Sequence, residues 1–265
     1  MYSKFALAKK WWHYYRTALN GEGHGIHSPF IFDLVKNVLN DKRDFYAFDA
    51  IERVRQELKH DHSIIQVHDL GAGSSISKSN QRSISEIAKH ALKSKKLAQL
   101  LFRLVNYYQP STVIELGTSL GITTAYLASA NGSGQVFTIE GSPAIAQVAK
   151  KNFNELNLYN AELIVGGFDA ILPDLLSKIK TVDFAFVDGN HRLEPTLRYF
   201  EWLMKYAHSG SILVFDDIHW SAEMETAWKK MQSHPDVTYT VDLFYIGLVF
   251  LNKDFKVKQD FRIRY

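Results

Sequence analysis

Glu115, Gly117, Ser119, Gly121 and Thr123 stand at alternate positions, and an acid, Glu140, follows Glu115 by 25 residues. Glycines so placed suit a sharp turn between a strand and a helix, where backbone N–H groups and the helix N-terminus face a ligand. An acid at the tip of the next strand suits a pair of ribose hydroxyls. This pattern predicts a pocket for a nucleoside-bearing cofactor, lined by Glu115, Gly117, Thr118, Ser119, Gly121, Thr123 and Glu140.

The spacing also narrows the cofactor. A dinucleotide turn needs G-x-G-x-x-G so that a pyrophosphate can lie against bare backbone. Here Gly117 and Gly121 are separated by three residues, and Ser119 takes the place of the middle glycine. S-adenosylmethionine has no phosphate; it ends in a carboxylate and an ammonium on one side and a nucleoside on the other. Thr123 and Thr124 can bond the carboxylate, Glu115 can face the ammonium, and Glu140 suits the ribose. A second glycine turn, Asp69 to Ser74, is followed by a polar stretch with no apolar helix face and no strand-end acid. It is expected to be a structural or lid loop.

A second set of chemical residues follows. Val187-Asp188-Gly189-Asn190-His191 and Phe215-Asp216-Asp217-Ile218-His219-Trp220 each close an apolar run. Neighbouring strands lie about 4.8 Å apart, so the ends of two such runs bring Asp188, Asp216 and Asp217 together. Three carboxylates form a hard-oxygen site for Mg²⁺ or another divalent cation. Such a cation would lower the pKa of an acceptor hydroxyl. His191, with an unperturbed pKa of about 6.5, is the expected general base. The alternative is that Asp188 serves the cofactor and Asp216–Asp217 cap a turn. His219 and Trp220 could line a substrate mouth. His24 and His27 have metal-compatible spacing but form too small a set to carry that reading.

The elements that must hold these residues alternate from Thr112 onward. Strands are expected at 112–116, 135–140, 161–165, 182–188, 211–216, 237–243 and 245–251, the last two antiparallel. Helices are expected near 121–130, 143–156, 169–178, 194–207 and 222–233. Runs such as Phe184–Val187 are apolar on both faces, as in a parallel sheet covered on both sides. The fold class is therefore α/β: a doubly wound, seven-stranded, mostly parallel sheet. Residues 1–94 are read as a helical N-terminal cap without a clear strand series, and residues 95–265 as the cofactor-binding domain. Within the N-terminal region, helices are expected at 4–19, 28–39, 46–59 and 83–108, and Trp11 to Tyr15 are expected to pack against the sheet domain, with a membrane-surface or dimer role as the alternative. Residues 78–96 are basic and read as a solvated face.

The 265 residues include no cysteine, which removes disulfides, thiolate metal sites and cysteine nucleophiles. A formal charge of +3 is too mild to argue for nucleic acid. No apolar run reaches the roughly 18 residues of a membrane span. A cytoplasmic enzyme with a small-molecule acceptor, and with room for a homodimer, is the expectation.

From about Lys95 to Leu251 the chain resembles the class I S-adenosylmethionine-dependent methyltransferases, most of all the catechol and caffeoyl-CoA O-methyltransferase type. Ile114 to Gly121 is similar to their first motif. Gly166-Gly167-Phe168-Asp169-Ala170, followed by Leu172-Pro173, resembles their adenine-edge loop, which implies that Gly167, Phe168 and Asp169 border the adenine. Asp169 could equally cap a helix. The resemblance also implies a metal set of Asp, Asp and Asn with a lysine base. The chain departs from it twice, with Asp217 in place of the asparagine and His191 in place of the lysine, which leaves metal dependence open. The function implied is methyl transfer to the oxygen of a hydroxylated small molecule. Two rivals are an NAD-dependent oxidoreductase on a similar sheet and a non-catalytic binding protein on a methyltransferase scaffold.

Overall fold

The structure, a computed structural model, describes residues 1–23, 25–67 and 81–265. His24, the Asp69–Ser74 turn and Lys78 lie outside the described residues. Packing groups the chain into two units, Met1–Asp41 with Lys178–Tyr265, and Lys42–Ser177.

The first unit opens with helix α1 (Lys4–Thr17), capped by the Ser3 side chain, and α2 (Pro29–Leu34), which runs into a π-helical turn over Val35–Leu39. Pro29 at the first helical position, behind the Ser28 cap, explains the α2 start.

The second unit contains α3 (Ala47–His60), a short antiparallel ribbon of β1 (Ile64–Gln66) and β2 (Gln81–Ser83), then α4 (Ile84–His90) and α5 (Lys95–Tyr108). The ribbon is one short strand pair in a region read as having no clear strand series. The single helix expected over 83–108 is two, because Ser94 caps a fresh start by accepting from the Leu97 N–H. After them come β3 (Thr112–Leu116), α6 (Ile122–Ala130), β4 (Gln135–Glu140), α7 (Pro143–Glu155), β5 (Ala161–Val165) and α8 (Phe168–Ile179). Strands β3, β4 and β5 are parallel, in that order. Phe48 on α3 packs on Phe102 of α5 and Tyr126 of α6, with centroids 4.9 and 5.4 Å away.

The remainder of the first unit comprises β6 (Val182–Val187), α9 (Leu193–Met204), β7 (Ala207–Asp216), α10 (Ala222–Ser233), β8 (Tyr239–Asp242), β9 (Ile246–Phe250) and β10 (Gln259–Arg262). Their order is β10-β8-β9-β7-β6. β6 and β7 are parallel, and β9 is antiparallel to β7 and β8. All seven expected strands are present, and β10 is additional; it runs parallel to β8. Every residue of β9, and β7 from Ser211 onward, is buried, as expected of strands covered on both faces.

Candidate active site

In the Lys42–Ser177 unit the site is built by the turn after β3. Gly117 and Gly121 have φ of 106° and 82°, and Ser119 is left-handed at 48°. A Cβ on Gly121 would lie 2.5 Å from Phe153 Cε1, so backbone conformation and space both demand glycine. The turn is pinned to β4: the N–H groups of Gly117 and Thr118 donate to the Ile139 carbonyl at 3.1 and 3.2 Å.

Glu140, half-buried at the tip of β4, accepts from the Ser119 and Ser142 N–H groups, both at 2.9 Å. The strand-end acid and the glycine turn thus share one small neighbourhood. The Ser119 hydroxyl oxygen is buried there without a hydrogen-bond partner among the described residues. That is the kind of orphaned polar atom a bound ligand satisfies.

Glu115 is fully buried. Its carboxylate accepts from the Thr124 hydroxyl and, at 2.6 Å, from the Thr138 hydroxyl, which lies 2.5 Å from the Thr118 hydroxyl. The hydroxyls of Thr118 and Thr124 are therefore engaged inside this network. For Thr124 this differs from the expected cofactor contact, because a buried carboxylate needs donors nearby. Thr123 is also buried, in the first turn of α6.

After β5, Gly166 adopts φ 155° and its N–H donates to the Glu140 carbonyl at 2.9 Å. The Gly167 carbonyl accepts from Ala170 and Ile171 at 3.1 and 3.0 Å, so the cap of α8 falls at Gly167. Phe168 is half-buried and Asp169 is exposed in the first turn.

In the other unit, the parallel register of β6 and β7 sets Val187 opposite Phe215 and brings the acids that follow them together. Asp216 is buried, while Asp188 and Asp217 are half-buried. His191 Nε2 lies 3.5 Å from Asp188 Oδ1 and 3.9 Å from Asp217 Oδ2. Burial works against the imidazolium, but the hydrogen bond and charge of Asp188, with the charges of Asp216 and Asp217, raise the His191 pKa to about 9. Asp188, His191 and Asp216 each offer a ligand atom within 4.8 Å of the others. Two carboxylates and an imidazole suit a divalent cation. In this trio His191 stands where Asp217 was expected.

Beside Asp217 is a cavity of about 420 Å³, within the size range of small-molecule sites. His219 and Trp220 line it, as do Leu7 and Trp11 of α1 and Phe244 and Tyr245 of the β8–β9 turn. The last four escaped the sequence reading, which placed Trp11 in packing against the sheet; Trp11 is in fact 37% exposed. The aromatic run in α1 was the only available signal. Both His219 nitrogens are engaged, Nδ1 with Glu225 at 3.1 Å and Nε2 with Asp242 at 2.9 Å. Burial opposes the imidazolium, but these two carboxylates prevail and raise the His219 pKa. Of the other candidate metal pair, His27 is exposed.

Comparison with known proteins adds three findings. Residues 114–218 match the family described as "Methyltransferase domain". The chain is similar to a catechol O-methyltransferase of Niastella koreensis, 31% identical over 46% of this chain and 55% of that protein. It is also similar to a catechol O-methyltransferase of Mycobacterium tuberculosis, 30% identical over 45% and 54%. The chain thus spans about half the length of these relatives. Among solved structures, an O-methyltransferase from Bacillus cereus in complex with SAH aligns at a TM-score of 0.54 and 19% identity, covering 79% of this chain and 92% of that one. A likeness at that identity establishes a shared fold: a Rossmann-like, doubly wound, mostly parallel α/β sheet with flanking helices.

Proposed function

We propose that this chain, a class I methyltransferase by fold with a methyltransferase domain over residues 114–218, moves the methyl group of S-adenosylmethionine to the oxygen of a hydroxylated small molecule. One observation carries the reading: Glu140 bonds the Ser119 N–H at 2.9 Å, which joins the strand-end acid to the glycine turn beside an orphaned serine hydroxyl. In this reading Glu140 takes the ribose hydroxyls and the Gly117–Gly121 turn with Thr123 cradles the amino-acid end. Glu115 acts through its threonine network on the ammonium side. Gly167, Phe168 and Asp169 border the adenine.

The acceptor occupies the aromatic cavity beside Asp217. Its hydroxyl oxygen attacks the methyl carbon, the carbon–sulfur bond breaks, and S-adenosylhomocysteine is the leaving group. The hydroxyl proton passes to His191 Nε2. Asp188, Asp216 and Asp217 orient the acceptor and hold the resulting imidazolium. Asp188, Asp216 and Asp217 would hold a divalent cation, leaving the His191 lone pair for the proton, and the cation would supply Lewis acidity toward the acceptor oxygen. A cytoplasmic location is part of the same reading; among the described residues no helix is long and apolar enough to cross a membrane.

Titration calorimetry tests the donor half. S-adenosylhomocysteine should bind, and no heat at millimolar ligand would end the proposal. Turnover over a panel of catechols and other hydroxylated acceptors, with and without EDTA, tests the rest. Binding without methyl transfer to any of them would leave only a binding protein.

A further inference from the structure

We propose that α1 is a docking helix for an anionic membrane surface, with Phe5 and Trp12 among the lipid headgroups and Lys9 and Arg16 on their phosphates. This does not depend on methyl transfer.

The helix carries Lys4, Lys9, Lys10 and Arg16 and no acidic residue. Its inward face is settled: Tyr14 is buried and donates to the Ile263 carbonyl, and Lys10 is bound by Glu225 at 2.9 Å. Its outward face is not what solvent alone would select. Residues 5, 9, 12 and 16 follow helical spacing and fall on one side. Phe5 is 82% exposed and Trp12 57%. Lys9 and Arg16 are exposed between them. Tyr15, also exposed, flanks this row under the Arg264 guanidinium, 4.8 Å from its ring centroid, which adds a further cation.

Exposed aromatics flanked by cations that form no ion pair among the described residues suit a surface laid against anionic headgroups, where rings and cations both favour the interface. Aromatic rings prefer the headgroup level, and each cation there adds attraction to anionic lipid. Fourteen residues give a helix about 21 Å long, suited to lying on a surface. Charge argues against the main rival: a second copy would set the same cations face to face with no acid on either helix. Nucleic acid is the weaker fit, since base stacking needs a groove that tracks the strand, and this is the convex flank of one helix.

Flotation of the purified full chain with vesicles tests the proposal. Vesicles of phosphatidylcholine with about one-third phosphatidylglycerol should carry the protein up, and pure phosphatidylcholine should not. Lys9→Gln/Arg16→Gln should weaken partitioning about 25-fold, at about fivefold per cation. Phe5→Ser/Trp12→Ser should weaken it about tenfold or more. Both pairs are exposed, so unchanged melting curves verify folding. No flotation with the anionic vesicles overturns the proposal, as does flotation that both pairs of substitutions leave intact. Two other results also overturn it: a dimer by light scattering that Phe5→Ser/Trp12→Ser dissolves, or a gel shift with single-stranded RNA, in either case without flotation.

Discussion

Replacing Glu140 with glutamine keeps its shape and removes its charge. If it grips the ribose, E140Q should weaken S-adenosylhomocysteine binding by about ten- to a hundredfold, the value of a charged hydrogen bond of roughly 1.5–3 kcal/mol, as read by calorimetry. Affinity within twofold of the parent would remove it from the pocket. Gly121→Ala acts on the fold instead. A left-handed alanine pressed on Phe153 should cost about 2–4 kcal/mol in thermal or urea unfolding. His191 yields a pH prediction. Its pKa is raised to about 9, so its ion pairs contribute fully below about 6.5 and are lost as pH rises through 9. A base must be neutral, so in EDTA kcat/KM should climb with pH up to about 9. An added divalent cation should move that break downward by opposing the imidazolium. A flat profile from pH 6 to 9 would exclude His191 as the base. Residue types and spacing were enough to bring Glu140 to the glycine turn and Asp188, His191 and Asp216 to one cluster. The inward turn of the Thr118 and Thr124 hydroxyls was not legible, because it follows from the need of a buried carboxylate three-dimensionally surrounded by donors.

β3, β4 and β5 fall on the spans expected of them, 112–116, 135–140 and 161–165, although β5 has no fully buried residue. What escaped was short or polar: β1 and β2 have three residues each, and β10 reads Gln-Asp-Phe-Arg, with one apolar position. The break between α4 and α5 was hidden because apolar residues continue through Leu92, although Ser94 carried a cap signal. For α1 the decisive contact is Glu225, which accepts from Lys10 and the Tyr2 hydroxyl. Burial pushes the Glu225 carboxyl up, but hydrogen bonds from Lys10, Tyr2 and His219 win and its pKa is lowered. A depressed carboxyl stabilises the fold above its ordinary value of 4.5 and loses that contribution as pH falls through the lower folded value. Glu225→Gln should therefore melt lower at neutral pH and show a shallower loss of stability below pH 4.5. Parallel curves for the two proteins would mean that the clamp contributes nothing.

At the scale of the molecule, the residues read as holding the cofactor, 115 to 169, belong to the Lys42–Ser177 unit, and the acid cluster belongs to the other. S-adenosylhomocysteine at a hundred times its Kd should raise stability by about 2.7 kcal/mol, with hydrogen-exchange protection concentrated in residues 115–142. Protection spread evenly over both units would argue against the assigned pocket. The grouping of residues 1–41 with the C-terminal strands could not be read from any local pattern. It rests on contacts such as Tyr2 to Glu225 and Tyr14 to Ile263, 223 and 249 positions apart. Those separations bear on synthesis. Leu19 bridges Ile263 and exchanges backbone hydrogen bonds with Arg262 and Arg264. On the ribosome, therefore, α1 must stay undocked, with its Tyr14 face uncovered, until residues 259–264 have emerged. A nascent chain stalled before residue 259 should still expose α1 to proteases and chaperones.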